Sequence, residues 1–225
     1  DPRDGQIAPH THACRDRDVV ASQPVIDAGG EAESRGAGRK TLRGAFFRRN
    51  VLFLRMPATP EREEDYRAVI QEADREKVGT ILYAPHPRAA LGQRQSINVW
   101  IRDRSPHWKI SMEIGNLDLA LLTGYKLSQS WDASLRLLTL VEDPDEVEKA
   151  QDFLEKLIDV GRIPNAEAIA ETGSFNDCVP RAPQADLNIF GLVPDLDFAF
   201  PHRMVDTTES TCMFVRDSGL ESALA

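Results

Sequence analysis

Short apolar runs alternate along this sequence with longer segments in which apolar residues recur every three or four positions. Runs of this length, rich in leucine and β-branched residues, are typical of strands that are buried on both faces of a sheet. The helical spacing indicates amphipathic helices that pack against such a sheet. The alternation therefore predicts an α/β fold in which right-handed crossovers connect mostly parallel strands.

The predicted strands form two groups, of three and five. They are Val19–Ile26, Asn50–Met56 and Thr80–Ala84 in the first half, and Ile97–Ile101, Ser134–Val141, Ala166–Glu171, Asp186–Val193 and Cys212–Asp217 in the second. The order strand, connection, strand at residues 50–84 is repeated at residues 186–217. The pattern predicts two doubly wound half-units, of which the first is incomplete.

The helix predictions depend on start signals and on apolar spacing. Residues 31–47 are predicted to be a helix weakened by two glycines, and residues 112–127 a second helix. Thr59-Pro60 and Asp143-Pro144 each place a capping side chain before a proline that suits the first helical position. The buried stripe predicted after Asp143 is Val147, Ala150, Phe153, Leu154, Leu157 and Ile158. No structure is predicted for Pro194–Thr208.

Changes in composition along the chain predict its domain organisation. Residues 1–18 are polar and are expected to be a disordered terminus. Residues 19–92 are expected to form the first half-unit and residues 93–225 the second. Pro85-His86-Pro87 begins a linker that extends to residue 95, because proline disfavours helix there.

Charge and hydropathy exclude several classes of protein. The 27 basic and 36 acidic residues give a net charge of −9, which disfavours nucleic acid as a partner. There is no apolar run of the roughly 18 residues that a membrane-spanning helix needs. The three cysteines are far apart and odd in number, as expected of free thiols in a reducing compartment. The sequence thus predicts a soluble intracellular domain.

Several stretches of this sequence resemble the cytosolic C-terminal domain of prokaryotic cation–chloride cotransporters. They are GAFFRRNVLFLRMP and ILYAPHPRAALGQR in the first half, and SINVWIRDRSPHWKISMEIGNLDLALLTGYKL, LRLLTLVEDPDE, ADLNIFGL and CMFVRDSG in the second. The resemblance extends over residues 19–225. It implies two subdomains similar to the universal stress protein fold. It also implies a homodimer beneath a transmembrane bundle that moves Na⁺ or K⁺ with Cl⁻.

The alternative function is that of a stand-alone nucleotide-binding protein of the universal stress protein type. Proteins of that type bind ATP with a Gly-x2-Gly-x9-Gly-Ser/Thr loop after the fourth strand, where backbone amides approach the phosphates. After Gly191 this chain has no such glycines, and Asp195 and Asp197 would repel a triphosphate. Gly36-x-Gly38 is only a partial phosphate-binding motif. No cofactor is therefore predicted.

Two further groups of residues are interpreted structurally. His10, His12 and Cys14 have metal-ligand chemistry, but no later cysteine or histidine pair completes a zinc site. Asp103, Ser105 and His107 include the residue types of a catalytic triad without a nucleophile elbow. We therefore predict neither a metal site nor catalysis.

Acidic, thiol and aromatic residues of the second half are also expected to have structural roles. Asp143, Asp145, Glu146, Glu148 and Asp152 are interpreted as a solvated helix face with capping acids. Cys178 and Cys212 have no neighbouring base in the sequence, and a cysteine within a strand is commonly buried. Trp100 and Trp108 are predicted to pack in the core or at its rim, where they could contact the other half-unit or a second copy.

One group of residues retains a predicted function, and the structural alternative for it is a solvated helix face. This basic cluster comprises Arg35, Arg39, Lys40, Arg43, Arg48 and Arg49. On a helix, positions 35, 39 and 43 share one face. That face would meet anionic lipid headgroups or cytoplasmic loops of the transporter. The sequence as a whole predicts a non-catalytic regulatory and assembly domain at the cytoplasmic face of the membrane.

Overall fold

A computed structural model describes residues 51–102, 104–109, 117–219 and 223 of the chain. The strands in these residues are β1 (Val51–Arg55), β2 (Gly79–Ala84), β3 (Ser96–Ile101), β4 (Ser134–Val141), β5 (Ala166–Thr172), β6 (Leu187–Gly191) and β7 (Thr211–Arg216). The helices are α1 (Glu63–Arg75), α2 (Asp118–Trp131), α3 (Val147–Val160), α4 (Phe175–Cys178) and α5 (Ala199–Thr208). Short 3₁₀ turns precede α1 and α3 and follow α4.

All the described strands belong to one mixed sheet, with the order β1-β2-β7-β6-β3-β4-β5. Strands β3 to β7 are parallel to one another, as are β1 and β2, and the two groups meet in an antiparallel pair between β2 and β7. The α/β class and the mostly parallel sheet predicted from the sequence are confirmed. The two half-units thus share one sheet.

The junction between the half-units is stabilised by side chains as well as by the sheet ladder. Leu82 and Phe214 are Cα partners in the β2–β7 pair, and both are fully buried. The Arg216 guanidinium at the end of β7 lies 2.6 and 2.5 Å, through Nε and Nη2, from Asp74 Oδ1 on α1. Arg67 of α1 donates to the carbonyl of Leu196, at 3.2 Å. Contacts from α1 therefore reach both β7 and the loop after β6 in the second half-unit.

Each face of the sheet has its own apolar core. On one face α2 and α3 cover the central strands, and the stripe predicted for α3 is buried at Ala150, Phe153, Leu154 and Leu157. On the other face α1 and α5 cover β1, β2, β6 and β7. Because both faces are covered, the inner strands are apolar at nearly every position, as expected for a parallel sheet.

The outer strands depart from the predicted pattern. Asn50–Met56 was expected to be a buried strand, but in β1 only Leu54 is buried, and Phe53 is 40% exposed. The reason is position: among the described residues β1 pairs only with β2 and lies at the sheet edge. At the opposite edge, the Gln151 side chain accepts from the Ala170 amide and donates to the Ala168 carbonyl of β5. These contacts occupy backbone groups that an edge strand would otherwise leave free.

The helix starts were only partly predicted correctly. Asp143 accepts from the amide of Asp145, at 3.0 Å, as predicted for a cap. Thr59 makes no side-chain cap, and a 3₁₀ turn at Pro60–Arg62 begins α1 instead. The predicted helix at 112–127 is α2 at Asp118–Trp131; positions 112–116 lie outside the described residues.

Two helices were missed, and two predicted elements cannot be compared. Helix α5 was obscured by Pro201, which stands in the first turn of the helix, where its missing N–H costs nothing. Helix α4 has only four residues. The strand predicted at 19–26 and the helix predicted at 31–47 lie outside the described residues.

Candidate functional site

Ligands of doubly wound folds bind at the carboxyl ends of the strands, where the strand order reverses. In the second half-unit this reversal lies between β3 and β6, because the chain proceeds from β3 to β4 and β5 on one side and from β6 to β7 on the other. The loops that follow β3 and β6, together with the amino end of α2, therefore line the expected site.

The loop after β6 is filled by its own apolar side chains. Leu192, Leu196 and Phe198 are 0%, 2% and 1% exposed, and they belong to the apolar core that α1 and α5 cover. Asp197 accepts from the amide of Ala199 at 3.0 Å and so caps α5. This loop presents packed side chains where a phosphate-binding loop would present bare backbone.

The amino end of α2 is also occupied from within the chain. Asp217, just after β7, accepts from the amides of Asp118 and Leu119, each at 3.0 Å. The amide of Ala223 donates to Asp118 Oδ1 at 2.7 Å, so Ala223 also lies at this end of the helix. The carboxylate of Asp217 thus lies where the positive end of the α2 dipole would attract an anion.

Trp100 is part of the core, as the sequence predicted. Its indole N–H donates to Asn188 Oδ1 at 2.8 Å, and Asn188 donates in turn to Ser210 Oγ at 2.8 Å. The Trp100 ring stacks on Phe190 with a centroid separation of 5.7 Å. The network satisfies polar groups that would be costly to bury alone, and it joins β3, β6 and the start of β7.

Trp108 lies at the rim, in the segment that follows β3. Its indole N–H donates to Glu146 Oε2 at 2.7 Å, and Lys149 donates to Glu146 Oε1 at 2.6 Å. The hydrogen bond to Glu146, and then the charge of Glu146, raise the pKa of Lys149 above its ordinary value of 10.5. The prediction that Glu146 belongs to a solvated face is wrong: it is 9% exposed and holds Trp108 against α3. Asp143, Asp145, Glu148 and Asp152 are exposed, as predicted.

The linker between the half-units is held by a carboxylate that the sequence did not single out. Asp186 accepts from the amides of Gln93, Gln95 and Ser96, at 2.9, 2.7 and 3.1 Å, and from the Ser96 hydroxyl at 3.3 Å. Burial alone would raise the pKa of Asp186, but these donors outweigh it and lower the pKa below its ordinary value. Gly92 has a φ of +53°, and a Cβ there would overlap Asp186 Oδ1. The contact spans about 90 residues of sequence, and no local pattern signals it.

The other candidate residues that the structure describes lie apart, in a surface turn and in the core. Ser105 and His107 are exposed in the turn after β3, and Asp103 lies outside the described residues. Cys178 and Cys212 are buried free thiols, and burial raises the pKa of Cys212 to about 12. Within the described residues, there is no group of three or more histidine, cysteine or acidic side chains that could hold a metal ion.

The N-terminal candidates cannot be placed. His10, His12, Cys14, Gly36 and Gly38 lie outside the described residues, as does the basic cluster of Arg35, Arg39, Lys40, Arg43, Arg48 and Arg49. In the described parts of the chain, no helix has the length and apolar character needed to cross a membrane.

Comparison with known proteins gives matches over both halves of the chain. A family model for the first part of the C-terminal domain of prokaryotic cation–chloride cotransporters matches residues 2–91, and the model for the second part matches residues 92–224. The crystal structure of the cytoplasmic domain of a prokaryotic cation–chloride cotransporter is 38% identical. That match covers 84% of this chain and 71% of the other, with a TM-score of 0.76.

More distant structures are similar at low sequence identity. A functionally unknown protein from Pseudomonas aeruginosa PAO1 is 12% identical over 84% of this chain and 69% of its own, with a TM-score of 0.52. A universal stress protein from Archaeoglobus fulgidus DSM 4304 is 11% identical over 75% and 61%, with a TM-score of 0.44. No curated protein matches the chain. The Pseudomonas match shows a shared fold and says nothing of function.

Proposed function

Because the chain belongs to the family of cytoplasmic C-terminal domains of prokaryotic cation–chloride cotransporters, we propose that it regulates and assembles such a transporter. In this role it catalyses no reaction of its own. It forms a homodimer on the cytoplasmic face of the membrane and couples the two copies to the transmembrane domains that move the ions. Coupling means that contacts of the domain bias the conformational equilibrium of the attached helices.

The observation that supports this role is the junction between the half-units. A domain that changes the conformational equilibrium of attached helices must move as one rigid body. A single sheet whose strands run from β1 at one edge to β5 at the other connects the two half-units rigidly. The Arg216–Asp74 ion pair adds a contact between α1 and β7 that is independent of the ladder. We propose that residues 19–92 and 93–225 act as two subdomains that this junction holds in a fixed relation.

The coupling is tested in the intact transporter by opening the junction. Arg216→Met removes the cross-junction ion pair, whereas Arg75→Met removes an ion pair of similar type that lies within α1 and joins Glu72. We expect chloride-dependent cation uptake by reconstituted transporter to fall in the Arg216 variant and to be retained in the Arg75 variant. Equal uptake by both variants, at equal protein levels, would contradict the coupling.

Dimerisation is tested separately by sedimentation equilibrium of the isolated domain. The chain mass is 25.1 kDa, so a homodimer has twice that mass and should dissociate on dilution. If the measured mass is that of a single chain at every concentration from micromolar to hundreds of micromolar, the isolated domain does not self-associate, and this part of the proposal is refuted.

The basic cluster in residues 35–49 is proposed to face anionic lipid headgroups or loops of the transporter. Its six cations contrast with the net charge of −9 of the whole chain. Binding to vesicles that contain phosphatidylglycerol should exceed binding to neutral vesicles and should decrease as salt increases. Replacement of Arg35, Arg39 and Arg43 by glutamine should abolish the difference. Equal binding to both vesicle types by the original domain would contradict the proposal.

The alternative of a stand-alone nucleotide-binding protein predicts a different result. Such a protein should bind ATP stoichiometrically at micromolar concentration beside Gly191. The buried side chains of Leu192, Leu196 and Phe198 argue against this, because the loop after Gly191 packs them into the apolar core, whereas a phosphate-binding loop has glycines there. Isothermal titration with ATP, followed by the Gly191→Val variant, distinguishes the two functions. Tight binding that the variant abolishes would favour the alternative.

A further inference from the structure

A groove of about 600 Å³ opens between the segment that follows β3 and the exposed side of α3. Its described lining includes His107, Trp108 and Lys109 from the segment, and Lys149, Phe153 and Lys156 from the helix. The volume is within the range of small-molecule sites. None of the functions discussed above uses this groove.

The walls of the groove are held in place by the contacts of Trp108. The indole N–H is bonded to Glu146, and the ring packs on Phe153 with a centroid separation of 5.6 Å. The Arg104 guanidinium lies over the Phe153 ring, 5.8 Å from its centroid. An indole fixed at both its polar and apolar ends provides a rigid wall, so little ordering is required when a ligand binds.

The charge of the groove is opposite to that of the chain. The described lining carries three lysines, Lys109, Lys149 and Lys156, against one carboxylate, that of Asp152. Asp143, Asp145 and Glu146 lie close enough to Lys149 to raise its pKa, so Lys109 and Lys156 are the lysines whose charge is left to the groove. Glu146 is engaged with Lys149, and neither Lys109 nor Lys156 forms an ion pair among the described residues. Lysines that remain unpaired in a protein of net charge −9 present a local positive field to anions.

We propose that this groove binds a phosphate-bearing anion through Lys109 and Lys156, with the half-buried ring of Trp108 against its apolar part. Phosphate suits ammonium groups as point charges, and a volume of about 600 Å³ leaves room for an organic group beyond the phosphate. The ligand is therefore an organic phosphate, either free in solution or the headgroup of an anionic lipid. Binding to the groove does not depend on the proposed coupling function, and it would provide that function with a chemical input.

The experiment follows tryptophan fluorescence, to which Trp108 contributes together with Trp100 and Trp131, while the domain is titrated with pyrophosphate, with ADP and with vesicles of phosphatidylglycerol. The test variant is Lys109→Gln with Lys156→Gln. The control is Lys126→Gln, which removes one exposed lysine on α2, outside the groove. We expect each groove lysine to contribute about tenfold to affinity, so the double variant should bind about a hundredfold more weakly. The control should bind as the unmodified domain does.

Each outcome has one meaning. Binding of ADP or pyrophosphate that the double variant loses supports the groove and a soluble ligand. Binding of vesicles alone, lost in the same variant, supports the groove and a lipid headgroup. Binding that the double variant retains places the ligand elsewhere, for example beside Gly191, and overturns the proposal. The absence of any binding at millimolar ligand also overturns it, and leaves the uptake test of the junction unaffected.

Discussion

Replacement of Asp186 by asparagine is expected to loosen the connection between the half-units. The carboxylate accepts four hydrogen bonds: two from the linker amides of Gln93 and Gln95, and two from the amide and the hydroxyl of Ser96 at the start of β3. Asparagine retains the shape of aspartate but not its charge. One of the two carboxylate oxygens is replaced by an –NH₂ group, which donates hydrogen bonds and does not accept them. With the amide oxygen placed at Oδ2, the –NH₂ group faces the amide of Gln93, and that hydrogen bond is lost.

The magnitude follows from these contacts. Three bonds lose the charge of their acceptor, which about halves the strength of each, and one amide loses its partner. Because Asp186 is partly exposed, water compensates for some of the loss, and we expect the free energy of unfolding to fall by about 2 kcal/mol. With a urea dependence of about 2 kcal/mol/M, the midpoint of unfolding should decrease by about 1 M.

The assay is urea unfolding followed by tryptophan fluorescence, with Asp195→Asn as the matched control. Asp195 is an exposed aspartate in the loop after β6, so its replacement should change stability by less than about 0.5 kcal/mol. A midpoint for the Asp186 variant within that margin of the unmodified domain would refute the assigned role of the carboxylate.

The pH dependence supplies a second test. The folded-state pKa of Asp186 is lower than its ordinary value of 3.8. The contribution of the carboxylate to the free energy of unfolding is therefore fully present above pH 3.8. As the pH falls, the unfolded chain takes up the proton first, and the contribution is lost as the pH passes through the folded-state pKa. The difference in stability between the domain and the Asp186→Asn variant should therefore shrink as the pH falls below 3.8. A difference that stays constant over this range would mean that the charge is not involved.

Three further predictions concern other contacts. In a double-mutant cycle, Arg216→Met and Asp74→Asn should show a coupling energy of about 0.5–1 kcal/mol, and full additivity in urea unfolding would contradict the ion pair. Cys212 should resist iodoacetamide at pH 8 until the domain is unfolded, because its pKa is about 12, and mass spectrometry that finds it modified in the folded domain would show that the thiol is accessible. Gly124→Ala should lower thermal stability by about 1–3 kcal/mol, because the new Cβ would lie 2.7 Å from Val99 Cγ2, and an unchanged melting temperature would show that α2 moves away at little cost.

Much of the fold follows from local patterns in the sequence. The strand runs and the α3 stripe were found because each depends on neighbouring residues that the chain itself brings together. The α1 cap at Thr59 was wrongly predicted, because whether a side chain caps depends on the path of the preceding backbone. The exposure of β1 could not be predicted, because a run of apolar residues does not reveal whether its strand lies inside a sheet or at its edge.

The contacts of the candidate site were less accessible to sequence reasoning. Asp186 and Asp217 bind amides about 90 and 100 residues away, and each is in sequence an ordinary acidic residue at the end of a strand. Glu146 was assigned to the surface because it follows two exposed acids, whereas its burial is caused by Trp108 from a different segment. The resemblance to the cotransporter domains identified the family, which the comparisons confirm, but it could not identify these contacts.

Because β2 and β7 are antiparallel, different segments of the chain lie at the two margins of the sheet. Since β2 runs against β3 to β7, the chain leaves β2 at the margin where β3 begins, and the linker and Asp186 lie there. The groove beside Trp108, the loop after Gly191 and Asp217 follow strands of the second half-unit and lie at the opposite margin, about 20 Å away for strands of six residues. A molecule that docks at one margin leaves the other free.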